Sequence, residues 1–296
     1  MMRSVISGAI LLAAGYPVSA LAEENGGFIY PIGADTVAPG ILPPRAGNYF
    51  FHYTALYNAD QTNDRNGDPR AIPNYDLSIT GNAERWLRVW DQKIAGGSLV
   101  TQVIVPWATV DVTAGPVADE RTTLGDVSVG AFVAWHSPKW HAWVGPNIYF
   151  PTGAYDADRA ANVGRNYVAA SLQGGVSHFV TDKIDVGVKG YIGVNAENPD
   201  TNYTSGAAAV LEYSAAYRIN PTWRVGINGY YYDQFTDDKI DGQAVPGGNQ
   251  GRTFAVGPMV QYNRGRFTGV IKYQGETFAE NRAQGGRLWF QAFVPF

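Results

Sequence analysis

The chain has no cysteine, few charged residues and, beyond its first residues, no apolar run long enough to form a membrane-spanning helix. Without thiols there is no disulfide framework and no thiolate chemistry. A spanning helix needs about 20 apolar residues, so the mature chain either stays soluble after export or crosses a membrane as strands. Only 16% of the 296 residues are charged, against about 25% in an ordinary soluble domain. The net charge of -4 offers no basic face, which argues against nucleic acid as a partner. The four histidines, His52, His136, His141 and His178, lack metal-ligand spacing, and the Gly-x-Ser-x-Gly elbow of hydrolases is absent. Ser177 and His178 are adjacent and would point to opposite faces of a strand. No D-x-D-x-D-G calcium loop is present. No catalytic set, metal or cofactor is therefore expected.

Aromatic residues and glycine are abundant: 18 Tyr, 13 Phe, 8 Trp and 35 Gly. The amino end reads as an export signal. Arg3 precedes an apolar core from Val5 to Ala14, and Ala20-Leu21-Ala22 supplies small residues for a peptidase. Cleavage is expected after Ala22, giving a signal peptide over 1–22. Residues 23–47, rich in glycine and proline, do not read as a strand. They are expected to form a periplasmic tail or a plug-like segment.

Residues 48–296 read as an all-β, transmembrane antiparallel barrel of about twelve strands in a bacterial outer membrane. The expected strands are 48–58, 83–91, 98–107, 126–136, 141–151, 166–180, 185–195, 206–219, 222–234, 251–263, 266–277 and 286–296. Alternation is plainest over 185–195, where Val186, Val188, Ile192 and Val194 share one face. The second strand fits least well: Glu84, Arg85 and Arg88 put charges on both faces, as an earlier start or a bulge would explain. Short connections alternate with long ones at 59–82, 108–125, 152–165, 196–205, 235–250 and 278–285, matching short periplasmic turns and longer external loops. The terminal aromatic Phe296 is of the kind read by the outer-membrane assembly machinery. Trp86, Trp90, Trp107, Trp135, Trp140, Trp143, Tyr149, Tyr230, Tyr231 and Tyr232 lie near strand ends, where aromatic girdles form.

Several motifs stand in order along the mature chain. They are Glu24-x-Gly-Gly-x-x-Tyr-Pro-x-Gly, Leu124-Gly-Asp, Pro151-Thr-Gly-x-Tyr-Asp-x-x-Arg and Ala161-Asn-x-Gly-Arg-Asn-Tyr. Glu197-Asn-Pro-Asp-Thr-x-Tyr-x-Ser-Gly, Gln234-Phe-Thr-Asp-Asp, Gly257-Pro, Glu280-Asn-Arg-x-x-Gly-x-Arg-Leu-Trp and Pro295-Phe296 follow. Through these the chain resembles the MetA-pathway of phenol degradation family of outer-membrane proteins. The resemblance implies a transporter encoded near catabolic genes and leaves its solute open.

Two residue groups are candidates for function. Facing the lumen are Asp185, Lys189, Tyr191, Asn195, Glu212 and Arg218, with Arg224, Asn228, Lys272, Glu276, Arg287 and Gln291 on later strands. Tyr191, Trp223 and Trp289 offer stacking surface if they face inward. At the external mouth, Asp156, Asp158, Arg159, Asn162, Arg165 and Asn166 cluster in one loop, with Glu197, Asp200, Asp237, Asp238, Glu280 and Arg282 in its neighbours. These are either ligand contacts or turn formers tied by arginine. The leading expectation is passive uptake of a small aromatic or otherwise hydrophobic molecule. A structural barrel with a closed lumen, binding lipopolysaccharide or other envelope partners, is the alternative. Architecture alone does not choose between them.

Overall fold

The computed structural model describes residues 21–296. The expected signal peptide lies outside the described residues, apart from Leu21 and Ala22. After a short 3-10 turn at Glu24–Gly26, the chain forms β1 (Gly47–Thr62), β2 (Asp76–Ile94), β3 (Gly97–Ala114), β4 (Val117–Leu124), β5 (Ser128–His136) and β6 (Trp140–Tyr149). These are followed by β7 (Ala169–Phe179), β8 (Ile184–Asn195), the short β9 (Tyr203–Thr204), β10 (Ala208–Arg218) and β11 (Trp223–Gln234). The short strands β12 (Lys239–Ile240) and β13 (Gln243–Ala244) precede β14 (Arg252–Arg264), β15 (Phe267–Glu280) and β16 (Ala283–Pro295).

The wall closes where β1 meets β16, from Tyr49 opposite Pro295 to Thr62 opposite Ala283. Antiparallel pairing of neighbours carries the wall through twelve strands. Closure joins the first strand to the last and so removes that open edge, as backbone in lipid requires. Outward positions are apolar: Val186, Val188, Ile192, Leu211, Ile227, Ile271 and Phe290 are all exposed. Their inward neighbours, including Asp185, Lys189, Glu212, Asn228 and Lys272, are buried. This is the alternation of a lipid-facing sheet around a polar interior.

β4 lies within the expected long connection 108–125. It folds back along the outer half of β3, with Trp107 opposite Leu124 and Ala114 opposite Val117. The inner half of the same β3 edge pairs with β5, with Ser98 opposite Ala134 and Ile104 opposite Ser128. Gly125-Asp126-Val127 makes the break between the two partners. The expected long loop 278–285 is a tight turn at Asn281–Arg282, with Asn281 at φ 51°. At the other end, Ala95 (φ 48°) and Gly96 (φ 78°) give the left-handed pair that a two-residue hairpin turn needs.

β2 begins earlier than expected, which places Arg85 inward and Glu84 and Arg88 outward. Its outward face breaks the apolar belt. His52 Nδ1 lies 2.8 Å from Glu84 Oε1, and Thr54 donates to Asn82 at 2.8 Å. The opposite face of the same stretch is apolar, with Leu77, Ile79 and Ala83 lining the interior.

Candidate functional site: the plugged bore and its throat

Residues 23–46 run inside the cylinder from the external loops to the start of β1. At the outer end, Glu24 accepts hydrogen bonds from Tyr155 (3.0 Å), Thr201 (2.6 Å) and Asn198 (2.7 Å). The Glu23 amide donates to Asp238 at 3.0 Å, and the Glu23 carboxyl accepts from Tyr232 at 2.6 Å. Burial pushes Glu23 up to about 8 despite the nearby Arg282 guanidinium. Asp238 is also pushed up by burial, although Tyr203, Asn249 and the Gly206 amide donate to it.

Deeper in, the segment turns at Pro31–Ala34, and charged side chains of the wall fasten the turn. Glu212 accepts from Tyr30 OH at 2.8 Å and from the Gly33 amide at 2.6 Å. Lys272 donates to the carbonyls of Gly33 (2.6 Å) and Ala34 (2.8 Å) and to Thr36 Oγ1 (2.7 Å). Lys189 donates to Tyr30 OH at 2.7 Å and Asp35 Oδ2 at 2.8 Å. Burying such charges costs several kcal/mol each unless they are paired, and the segment supplies the partners. Tyr30 stacks on Tyr191 with ring centroids 5.0 Å apart. Lower down, Trp143 donates to the Pro39 carbonyl at 2.8 Å, and the Gly40 amide to Ser177 at 2.9 Å. A Cβ on Gly40 would fall 2.1 Å from the Ser177 nitrogen, so only glycine permits this approach.

The segment leaves space beside β1–β3 in the outer half of the bore, while lower down Leu42 clusters with Tyr49, Leu87 and Val100 of those strands. Two cavities lie beside the segment. The outer one, about 300 Å³, is walled by Leu77, Ile79, Ile104, Pro106, Val110 and Val163, with Phe28 and Ile29 from the segment. The position a Gly81 Cβ would take has no atom within 4 Å. The inner one, about 780 Å³, lies between residues 37–46 and the β1, β14, β15 and β16 wall. Among the described residues, Ala34, Asp35, Tyr53 and Arg85 alone line both cavities.

These four form a throat. Arg85 Nη1 lies 3.4 Å from Asp35 Oδ1 and 3.2 Å from Tyr53 OH. Tyr53 OH in turn donates to Asp35 Oδ1 at 3.3 Å. All three contacts are long for charge-assisted bonds. Arg85 is 5% exposed, its Nε has no partner, and its guanidinium lies 5.2 Å from the Phe51 ring centre.

Residues 59–292 match the family described as MetA-pathway of phenol degradation. The chain belongs to that family. No curated protein matches it in sequence. Among solved structures, the COG4313 outer membrane channel from Pseudomonas putida F1 superposes with a TM-score of 0.78 at 18% identity, covering 87% of this chain and 97% of that one. The transport unit of the autotransporter AIDA-I from Escherichia coli has a TM-score of 0.52 at 9% identity, with coverage of 89% and 94%. The β domain of the Bordetella autotransporter BrkA has a TM-score of 0.50 at 11% identity, with coverage of 85% and 100%. These likenesses establish the outer-membrane β-barrel fold.

In this MetA-pathway barrel, the residues expected to line a lumen divide four ways. Lys189, Tyr191, Glu212, Asn228 and Lys272 face inward but are occupied by the N-terminal segment. Asp185 and Arg224 pair with each other. Asn195 caps loop carbonyls at Ser205 and Gly206, and Arg218 is exposed at the periplasmic rim. Only Glu276 and Arg287 border the outer cavity and Gln291 the inner one. Of the stacking candidates, Trp289 faces inward and Trp223 outward. Trp143, Tyr149, Tyr230 and Tyr232 are buried in the interior and belong to no girdle, whereas Trp86, Trp107 and Trp140 are exposed outside.

The loop cluster is mostly architecture. Asp156 and Asn162 bond within their own loop, and Arg159 pairs with Asp119 of β4. Asn166 bonds Asn198, while Asp237 accepts from Gln250, and Glu197 and Asp200 are exposed. Glu280 lies 3.5 Å from Arg252. Of this cluster Asn162, Arg165 and Arg282 line the outer cavity. Asp126, set at the break after β4, accepts the amides of Gly153 (2.8 Å) and Arg165 (2.7 Å), while its partial burial raises its pKa.

Asp35, Tyr53 and Arg85 were not among the sequence candidates. The inward phase of Arg85 follows once β2 is extended to Asp76. The approach of Asp35 is visible only when the segment is seen inside the bore. Among the described residues no cluster of His, Asp and Glu is placed to hold a metal ion.

Proposed function

We propose that this barrel is a passive channel of the outer membrane for small aromatic or otherwise hydrophobic organic molecules. One observation carries the reading: an outer cavity with an apolar wall and a larger inner cavity share Ala34, Asp35, Tyr53 and Arg85 as lining, which makes these four the throat between them. Apolar walls on one side of a largely polar interior suit a ring-bearing solute. Widening at the throat requires only that three long hydrogen bonds exchange. Removal of residues 1–22 belongs to the same reading. The Glu23 nitrogen, 3.0 Å from Asp238, would then be an ammonium on a buried carboxylate. Exposed Phe296 would serve the assembly machinery, and lipid and lipopolysaccharide would surround the wall.

The rival, a closed structural barrel, draws support from the way Lys189, Glu212 and Lys272 are consumed by the plug. Proteoliposomes separate the two. Flux of benzoate or benzyl alcohol above that of protein-free vesicles supports transport, and flux of both at the protein-free level overturns it. Amino-terminal sequencing tests the processing step: a first residue of Glu23 supports it. A first residue of Leu21 would mean that Leu21 and Ala22, which bond Asn249 and Asn281, stay in the fold.

A further inference from the structure

The acids and the bases of the outer cavity are treated differently. Glu276 accepts from Tyr57 OH (2.9 Å), Tyr230 OH (2.6 Å) and the Gly285 amide (2.7 Å), all uncharged donors. Asp126 is held by backbone amides, as described above. Asp35 has its closest cationic partner in Lys189, at 2.8 Å. The arginines have no such partners. Among the described residues, Arg165, Arg282 and Arg287 have no carboxylate within ion-pair distance. Arg282 Nη1 and Arg85 Nε are buried without any acceptor. Arg287 reaches only the Ile32 carbonyl, and its guanidinium lies 4.9 Å from the Tyr57 ring centre.

We propose, resting on the channel reading above, that the preferred solute is a small aromatic or cyclic carboxylate. Its ring travels along the apolar wall of β2 and β3 while its carboxylate passes from the outer arginines to Arg85. A neutral ring would leave the guanidinium donors unmatched, and a cation would be repelled by them. A planar carboxylate matches the arginine fork. At the throat it displaces the Asp35 oxygen from Arg85. Asp35 keeps its bond to Lys189, so the exchange strands no charge. Arg85 is thus assigned as the residue that selects on charge.

The test uses the full mature protein in planar bilayers and proteoliposomes, with benzoate, benzyl alcohol and benzylammonium as probes. Benzoate should permeate at least about tenfold faster than benzylammonium, the size of effect expected from hydrogen bonds to charged groups. It should also permeate faster than benzyl alcohol. The reversal potential in a KCl gradient should report anion preference. Arg85→Gln should lower the benzoate-to-benzyl alcohol permeability ratio about tenfold, and Arg282→Gln should lower it less. Equal passage of all three probes would overturn the carboxylate assignment and leave the channel standing. Failure of every probe would overturn the channel itself. A fall in both fluxes by one factor in Arg85→Gln would make Arg85 a prop for the plug and not a selector.

Discussion

Lys189, rooted in the middle of β8, reaches across the bore to Asp35 of the N-terminal segment, with Nζ 2.8 Å from Oδ2. The pair joins wall to plug beside the throat. Lys189 also lies 3.7 Å from Glu212, so one cation serves two carboxylates. Asp35→Asn leaves Lys189 with Glu212 and frees Arg85 from its only carboxylate. Removing one partner of a buried pair costs about 3 kcal/mol or more. The expected result is a larger and noisier single-channel conductance. Unchanged current in planar bilayers would show that Asp35 does not set the throat.

Lys272 holds the turn through two carbonyls and a hydroxyl. Lys272→Met keeps the length of the side chain and removes the three donors. The loss should weaken docking by about 2 kcal/mol or more, since bonds from charged groups are worth about 1.5–3 kcal/mol each. Limited proteolysis of the folded barrel should then cut within residues 28–46 at a rate well above that of the parent. Equal resistance would mean that Glu212 and the aromatic contacts hold the turn alone.

Glu23 gives the outer end of the segment a pH dependence. Its carboxyl titrates at an ordinary 4.5 when free and is raised by burial to about 8 when docked. The docked state therefore favours the protonated acid. Its stabilisation is full below pH 4.5 and is lost as pH rises through 8. Protection factors for amides 24–27, measured by hydrogen exchange and corrected for intrinsic rates, should fall between pH 5 and pH 9. Glu23→Gln should flatten the profile. A flat profile in the parent would place the carboxyl in contact with water.

The polar face of β1 and β2 should cost stability. His52 and Glu84 stand among lipid-facing side chains, where ionisable groups are expensive. Replacing both, His52→Leu with Glu84→Leu, should raise the unfolding free energy in detergent or vesicles by about 1 kcal/mol or more. A decrease in urea titrations would show that this face meets a polar neighbour instead of lipid.

Much of the wall was legible because lipid imposes a strict rule. Val186, Val188 and Ile192 alternate with Asp185 and Lys189, and one face must be greasy while the other is not. β4 escaped because it stands on the outer half of β3, where no lipid enforces alternation. Arg85 escaped because polar Asn82 and Glu84 face outward beside it, which hides the phase of the strand. The loop 278–285 looked long because Gly285 and Gly286 resemble turn residues. They are strand positions, where a Cβ at Gly286 would fall 2.3 Å from the Tyr273 hydroxyl. Asp185, Lys189, Glu212, Arg224 and Lys272 are buried in the interior, whereas Arg218 is exposed at the rim. The occupation of Lys189, Glu212 and Lys272 by the plug was not visible, because residues 23–47 carry no periodicity and their partners lie far along the chain.

The ladder between β1 and β16 has a further consequence for biogenesis. Once Tyr49 has paired with Pro295 and Thr62 with Ala283, no sideways gap is left for the preceding residues to slip through. The segment must already lie within the nascent cylinder when its seam zips, or be drawn in lengthwise from one end. Tyr30 and Lys189 would then meet before the final hydrogen bonds form, and the residues just ahead of β1 would template the space that the last strand encloses.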